Sequence, residues 1–285
     1  MFYFRALTTV VFLVVFFLGL FHDGFWWILP FLLVSAALCS LHEYIHFGGL
    51  KSTLPYQCMA ILGSLALLAD AYFYGLEHAF IIIGLLPVMM LAVGTFRVDR
   101  DFSEAAGKCI IATIYCTVPL ALILDIWRRA VEVQYEGGHS NGQHYIIFLV
   151  LVTQSSDIGA YLTGRMIGKH KFSPRISPEK TWEGFAGGVV FSVVLAVCMF
   201  FLWDNMGRIF KLWEMVTLAG LFAIIGPVGD LAESLLKRSA GLKDSGRTGT
   251  GMGGMLDIID SLLFTTIFYY IWLWFLHPEI VRSLD

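Results

Sequence analysis

The chain has 285 residues, of which 58% are hydrophobic and 14% charged, and its mean hydropathy is +0.74. Those values exclude an ordinary soluble domain and fit a polytopic membrane protein. The net charge of −3 is uninformative as a total, and no nucleic-acid partner is expected.

Nine apolar stretches follow one another, near 6–21, 24–40, 57–75, 78–95, 106–127, 143–164, 184–203, 214–236 and 256–277. Most are long enough for a helix to cross roughly 30 Å of hydrocarbon. The ten-residue alternation of barrel strands does not occur, and unpaired backbone cannot face lipid, so helices are the remaining solution. The expected fold is an all-α integral membrane protein of about nine transmembrane helices, a single membrane domain over residues 1–285.

The first stretch follows Arg5 as a signal peptide would, but no small-residue cleavage pattern comes before Trp26 and Trp27, so it is expected to be retained. The second ends in His42-Glu43-Tyr44-Ile45-His46, which matches H-E-x-x-H. On a helix that pattern presents two imidazoles to zinc with the Glu as base, and Asp70 or Asp157 would be the third ligand of an intramembrane protease. The favoured alternative is a pair of interfacial histidines at a helix end, because Phe47-Gly48-Gly49 follows at once. Cys39, Cys58, Cys109, Cys116 and Cys198 lie in or beside apolar stretches without metal-type spacing and are expected to pack as small hydrophobes, not as disulfides. Residues 1–127 read as membrane scaffold and 128–142 as a polar loop, whereas helices and loops over 143–277 carry the clustered polar residues.

Charge placement orients the chain. With the amino terminus inside, 14 of the 19 Lys and Arg residues fall on the cytoplasmic side and 5 opposite, which places the carboxyl terminus outside. The two loops richest in base, 165–183 and 237–255, then share the cytoplasmic face.

The first of these loops includes Ser177, Lys180, Thr181 and Glu183 and follows the intramembrane Asp157. Its bases suit an anionic substrate or an anionic lipid surface, and its two prolines, Pro174 and Pro178, favour a shaped site over a tail. Further on, Asp230, Glu233, Ser234 and Lys237 recur at helical offsets on one face, and Asp257 and Asp260 repeat the three-residue spacing. A carboxylate at membrane depth faces a polar cavity, a metal or a partner. Mg²⁺ takes oxygen ligands from one or two carboxylates plus substrate phosphates, so the cluster fits one or two such ions; the competing reading is interhelical ion pairs with Lys237, Arg238 or Lys243. Gly253 and Gly254, just before a helix, allow backbone N–H groups to approach phosphate, although the segment is neither a Walker A loop nor a dinucleotide fingerprint.

Together these segments resemble the phosphatidate cytidylyltransferase family, the CDP-diacylglycerol synthases. The family pattern S-x-x-K-R, four residues, K-D, then G-G-x-x-D-x-x-D is present as Ser234, Lys237, Arg238, Lys243, Asp244, Gly253, Gly254, Asp257 and Asp260. Its S-P-x-K-T-x-E-G element spans Ser177 to Gly184, after Asp157, Ala160 and Tyr161, and Glu43-Tyr44 resembles a family Glu-aromatic pair. The chain departs from the family in having Met252 and Ile258 where His and Arg are usual, which removes two phosphate contacts. The resemblance implies an integral membrane nucleotidyltransferase of phospholipid biosynthesis that joins CTP and phosphatidate into CDP-diacylglycerol and pyrophosphate. Its site would lie on the cytoplasmic face, in the inner membrane of a bacterial source. It implies Mg²⁺, alone or with a second cation, on Asp230, Asp257 and Asp260, with Ser234, Lys180, Lys237, Arg238 and Lys243 on phosphates and Asp157, Glu183, Asp244, Ser177 and Thr181 as secondary candidates. Rival readings are a CTP-dependent lipid kinase, the zinc protease and a secondary transporter with ion-coupling carboxylates. An oligomer is compatible with the sequence.

Overall fold

The computed structural model describes residues 16–20, 27–47, 54–97, 102–132, 142–174, 176–241 and 254–278. The chain divides into two compact units, Met1–Asp125 with Ser239–Ile258, and Ile126–Arg238 with Ile259–Asp285.

The first unit contains α1 (Ile28–His46), α2 (Leu54–Phe73), α3 (Ala79–Arg97), α4 (Phe102–Ala112), a π-helical turn at Thr113–Thr117 and the start of α5 (Val118–Glu132). Their apolar runs leave backbone polar groups no partner in lipid except one another, which enforces the helix. The α2–α3 connection is a tight turn in which Gly75 and Leu76 take positive φ of 66° and 64°. Leu76 is strained there, and the buried Asp70 holds the turn by accepting from the His78 backbone N–H at 3.0 Å and ring Nδ1 at 2.8 Å. Asp70 is thereby committed to the turn. Inside the unit, Thr117 donates to Ser64 at 2.9 Å, a buried hydroxyl pair between the π-helical turn and α2.

The second unit contains the rest of α5, then α6 (Gly142–Ile167), a two-stranded hairpin β1 (Lys171–Ser173) and β2 (Ser177–Thr181), α7 (Trp182–Leu202), the short α8 (Asp204–Ile209), α9 (Leu212–Ser239) and most of α10 (Met255–Leu276). Helices α6 and α7 pack through glycine. A Cβ at Gly184 would stand 2.7 Å from the Ala160 carbonyl oxygen, and one at Gly188 2.9 Å from that of Ser156, so only glycine lets these backbones approach. Phe148, Phe210, Phe222 and Tyr269 fill the unit's interior, and Tyr269 donates to the Tyr145 carbonyl at 3.2 Å.

Eight helices among the described residues are long and apolar enough to cross a membrane, with α4, the π-helical turn and α5 forming one span over Phe102–Arg129. Phe80, Phe96, Leu202 and Met166 are each more than 80% exposed, an arrangement suited to lipid and costly in water. The apolar stretch near 6–21 lies mostly outside the described residues, though 16–20 are helical. Two expectations change. The polar segment placed at 128–142 begins later, because α5 carries Arg128 and Arg129 and runs to Glu132. The basic loop 165–183 is not plain loop: it contains the antiparallel hairpin, pairing Lys171 with Thr181 and Ser173 with Ser177. All five cysteines are free thiols.

Candidate active site

The hairpin is held from three sides. Thr181, in extended conformation, is the N-cap of α7 and accepts from the Gly184 N–H at 3.1 Å. Phe172 stands edge-on to Trp182 at 4.5 Å and nearly parallel to Phe185 at 5.9 Å. Glu183 reaches back to the Lys169 N–H at 3.1 Å, the His170 N–H at 3.2 Å and His170 Nδ1 at 2.6 Å. These contacts fix β2 and aim Lys180, whose Nζ lies 2.9 Å from Asp230 Oδ2 and donates to the Pro227 carbonyl at 3.2 Å.

Beside this pair is a cavity of about 580 Å³, a size suited to a small-molecule ligand. The α6 face contributes Asp157, Tyr161, Gly164 and Arg165; the hairpin contributes Lys171, Phe172, Ser177, Glu179, Lys180 and Thr181; α7 adds Phe185 and α9 adds Asp230. Arg165 donates to the Tyr161 hydroxyl at 2.9 Å. Acid gathers at the inner side. Asp157 lies within the electrostatic influence of Asp230 and Lys180, and Asp260 within that of Asp230, Asp157 and Lys180. Asp260 also accepts from the Ser261 N–H at 2.6 Å. Gly229 permits this crowding, since a Cβ there would stand 2.6 Å from the Asp260 carbonyl oxygen. Lys180 thus offsets Asp230 directly and Asp157 and Asp260 at longer range, and oxygen donors of this kind suit a hard divalent cation better than a soft metal.

Of the residues singled out from sequence, Asp157, Ser177, Lys180, Thr181 and Asp230 line the cavity, with Asp260 in the same electrostatic cluster. Others are engaged elsewhere. Ser234 donates to Asp230 Oδ1 at 3.4 Å, and Lys237 pairs with the buried Glu233 one turn back on α9. Arg238 is exposed near the end of α9, and Glu183 latches the hairpin. Asp257 lies in the first turn of α10, within the first unit, and accepts from the Gly254 N–H at 2.9 Å. Lys243, Asp244 and Gly253 lie outside the described residues. Sequence reasoning did not single out Tyr161, Arg165, Lys171, Phe172, Glu179 or Phe185 as site residues. For α6 a signal existed: Asp157, Tyr161 and Arg165 recur every fourth residue, which is one helical face.

The H-E-x-x-H segment has a different use. The His42 and His46 rings lie tilted at 40° with centroids 4.0 Å apart, and His46 Nδ1 lies 2.7 Å from the His42 carbonyl oxygen. Glu43 accepts from the Met255 and Leu256 N–H groups at 2.8 and 2.9 Å, so both its oxygens are occupied at the start of α10. Among the described residues no group of three or more His, Cys, Asp or Glu side chains is arranged to hold a metal by itself. His46→Ala is expected to retain most turnover, and purified protein to lack stoichiometric zinc. Activity lost on chelation and restored by zinc alone would reverse this reading.

Comparison with known proteins identifies the relatives. The family model described as "Cytidylyltransferase family" matches residues 3–276. A Staphylococcus saprophyticus protein named phosphatidate cytidylyltransferase is 31% identical over 265 residues, covering 91% of this chain and 94% of the relative. A Bacillus subtilis protein of the same name is 38% identical over 189 residues, 66% of each chain. One from Staphylococcus haemolyticus is 45% identical over 126 residues, 44% of this chain, and that match spans about half (47%) of the relative's length. By the extent of these matches, the chain belongs to the cytidylyltransferase family.

Proposed function

We propose that this protein is a CTP:phosphatidate cytidylyltransferase, making CDP-diacylglycerol and pyrophosphate. The observation that carries the reading is the cavity lined by Lys180, Asp157 and Asp230, with Asp260 electrostatically linked to them, in a chain that aligns over 91% of its length with a relative of that name. A phosphate oxygen of phosphatidate attacks the α-phosphorus of CTP, the bond from that phosphorus to the bridging oxygen breaks, and pyrophosphate departs with the electron pair. No enzyme nucleophile is required, so the protein's share is positioning and charge neutralisation.

Lys180, Arg165 and Lys171 line the cavity, which supports a role for them in binding phosphate oxygens, and Phe172 and Phe185 supply apolar surface there. Asp230, Asp257 and Asp260 are the proposed carboxylates for Mg²⁺, with Lys237, Arg238 and Lys243 as further phosphate partners from the same family pattern. The donor chemistry fits, since Mg²⁺ keeps several waters and uses few carboxylates besides substrate phosphates. Bound there, the ion would neutralise developing charge on the phosphates.

An amphiphilic substrate also accounts for the architecture, because its phosphate must meet a soluble nucleotide at the interface while its tails remain in lipid. The charge distribution favours the cytoplasmic side for that interface. A reporter after Asp285 is then expected outside and one beside Lys169 inside; both on one side would refute the orientation. The reaction itself is tested by mass analysis of lipid after incubation with CTP, phosphatidate and Mg²⁺. CDP-diacylglycerol is the expected product, and a lipid gaining only the γ-phosphate would indicate a lipid kinase instead.

A further inference from the structure

The start of α10 is bound by a residue far away in the chain. A helix begins with N–H groups that have no partner inside the helix, and they carry the positive end of its dipole. At α10 three of these groups are taken by carboxylates. Gly254 N–H donates to Asp257, while Met255 and Leu256 N–H groups donate to the two oxygens of Glu43, 212 and 213 residues away in sequence. Glu43 is itself well founded: the next residue, Tyr44, is buried and packs its ring against Phe47 at 5.9 Å and Tyr115 at 6.0 Å. The bidentate grip therefore ties α10's first turn to a packed part of α1.

We propose that Glu43 is a positioning residue for the reaction: by fixing the first turn of α10 it sets the position of Asp257, and by filling that helix end it denies the same N–H groups to a substrate phosphate. This rests on the cytidylyl-transfer reading, in which Asp257 serves the Mg²⁺-dependent step. Glu43 touches neither substrate nor reacting atoms; it acts through backbone. The pairing also gives the Glu of the H-E-x-x-H segment a use without zinc, since a carboxylate opposite a helix N-terminus is favourable with no metal present.

The test compares Glu43→Ala and Glu43→Gln in the full chain, in lipid nanodiscs. Three readouts are taken: hydrogen exchange of the amides at 254–258, Mn²⁺ binding by electron paramagnetic resonance, and cytidylyl transfer across a Mg²⁺ titration. In Glu43→Ala, exchange is expected to rise at Met255 and Leu256 but not in α6 or α7. Metal affinity and turnover should each fall by about 10–100-fold, the scale for losing a partner that orients a ligand. Glu43→Gln keeps one acceptor oxygen and should recover much of both. Unchanged exchange at 255–256 would overturn the proposal, as would raised exchange with wild-type metal affinity and turnover. If Glu43→Ala does not fold, Glu43→Gln decides: a partial rise in exchange confined to the first turn of α10 with a modestly higher metal requirement supports the role, and unchanged exchange or an unchanged metal requirement opposes it. A wild-type chain that forms no CDP-diacylglycerol would defeat the reaction assignment, while exchange and Mn²⁺ binding would still decide whether Glu43 positions a metal-binding turn.

Discussion

Asp257→Asn is expected to lower cytidylyl transfer by about 10²–10³-fold, the scale for losing one electrostatic stabiliser of a transition state. The substitution preserves shape and removes the charge proposed to hold Mg²⁺. Folding should survive for a specific reason: the Asp257 oxygen that accepts from the Gly254 N–H at 2.9 Å is replaced by an amide oxygen able to accept the same bond. A separate argument agrees, since a neutral side chain near membrane depth costs less than a carboxylate. Raised Mg²⁺ should restore part of the rate if affinity is the main loss. The check is turnover across a Mg²⁺ titration beside thermal stability in detergent. Near-normal turnover would remove Asp257 from the metal assignment, and parallel loss of folding and activity would make it a structural ion-pair partner.

The helices were legible because hydrocarbon imposes a single solution on long apolar runs. The stretches read at 57–75, 78–95 and 256–277 correspond to helices Leu54–Phe73, Ala79–Arg97 and Met255–Leu276. The hairpin was not legible. Lys171–Ser173 and Ser177–Thr181 show no period-two apolar alternation, and Pro174 and Pro178 read as loop. What holds the hairpin is tertiary: Phe172 on Trp182 and Glu183 on the His170 backbone and ring.

Part of the residue set around the cavity was legible, and none of its geometry: Asp157, Ser177, Lys180, Thr181 and Asp230 line it, whereas Tyr161, Arg165, Lys171, Phe172, Glu179 and Phe185 were not singled out. Helical spacing put Asp230, Glu233 and Lys237 on one stripe, but it could not show that Lys237 would turn to Glu233 while Asp230 took Lys180 from a hairpin 50 residues earlier in the sequence. The i,i+4 spacing of Glu233 and Lys237 was the available clue, because that offset is the preferred one for a helical ion pair. The Glu43 contact with α10 had no local signal, since nothing at 42–46 refers to a partner more than 200 residues on.

Lys180→Met is expected to lower turnover by at least about 10²-fold, with a rise in the KM for CTP, because one change removes a charge proposed to bind phosphate and unbalances the acidic cluster. The ammonium is 2.9 Å from Asp230 and also acts on Asp157 and Asp260, so the apolar side chain leaves these acids without that compensating charge. Stability should change less than activity. The side chains of Lys180 and Asp230 remain 22% and 38% exposed, and solvent screens a pair of that kind. A second substitution separates the two roles of the lysine. In Lys180→Met/Asp230→Asn the charge imbalance is partly relieved, so thermal stability should return towards wild type, but the proposed phosphate contact and a proposed metal ligand are both missing and turnover should stay low. The measurement is kcat and KM for CTP in the single and double variants, with melting temperatures alongside. Recovery of turnover in the double variant would show that Lys180 serves only as a counter-ion to Asp230, and near-wild-type turnover in Lys180→Met would remove it from the site.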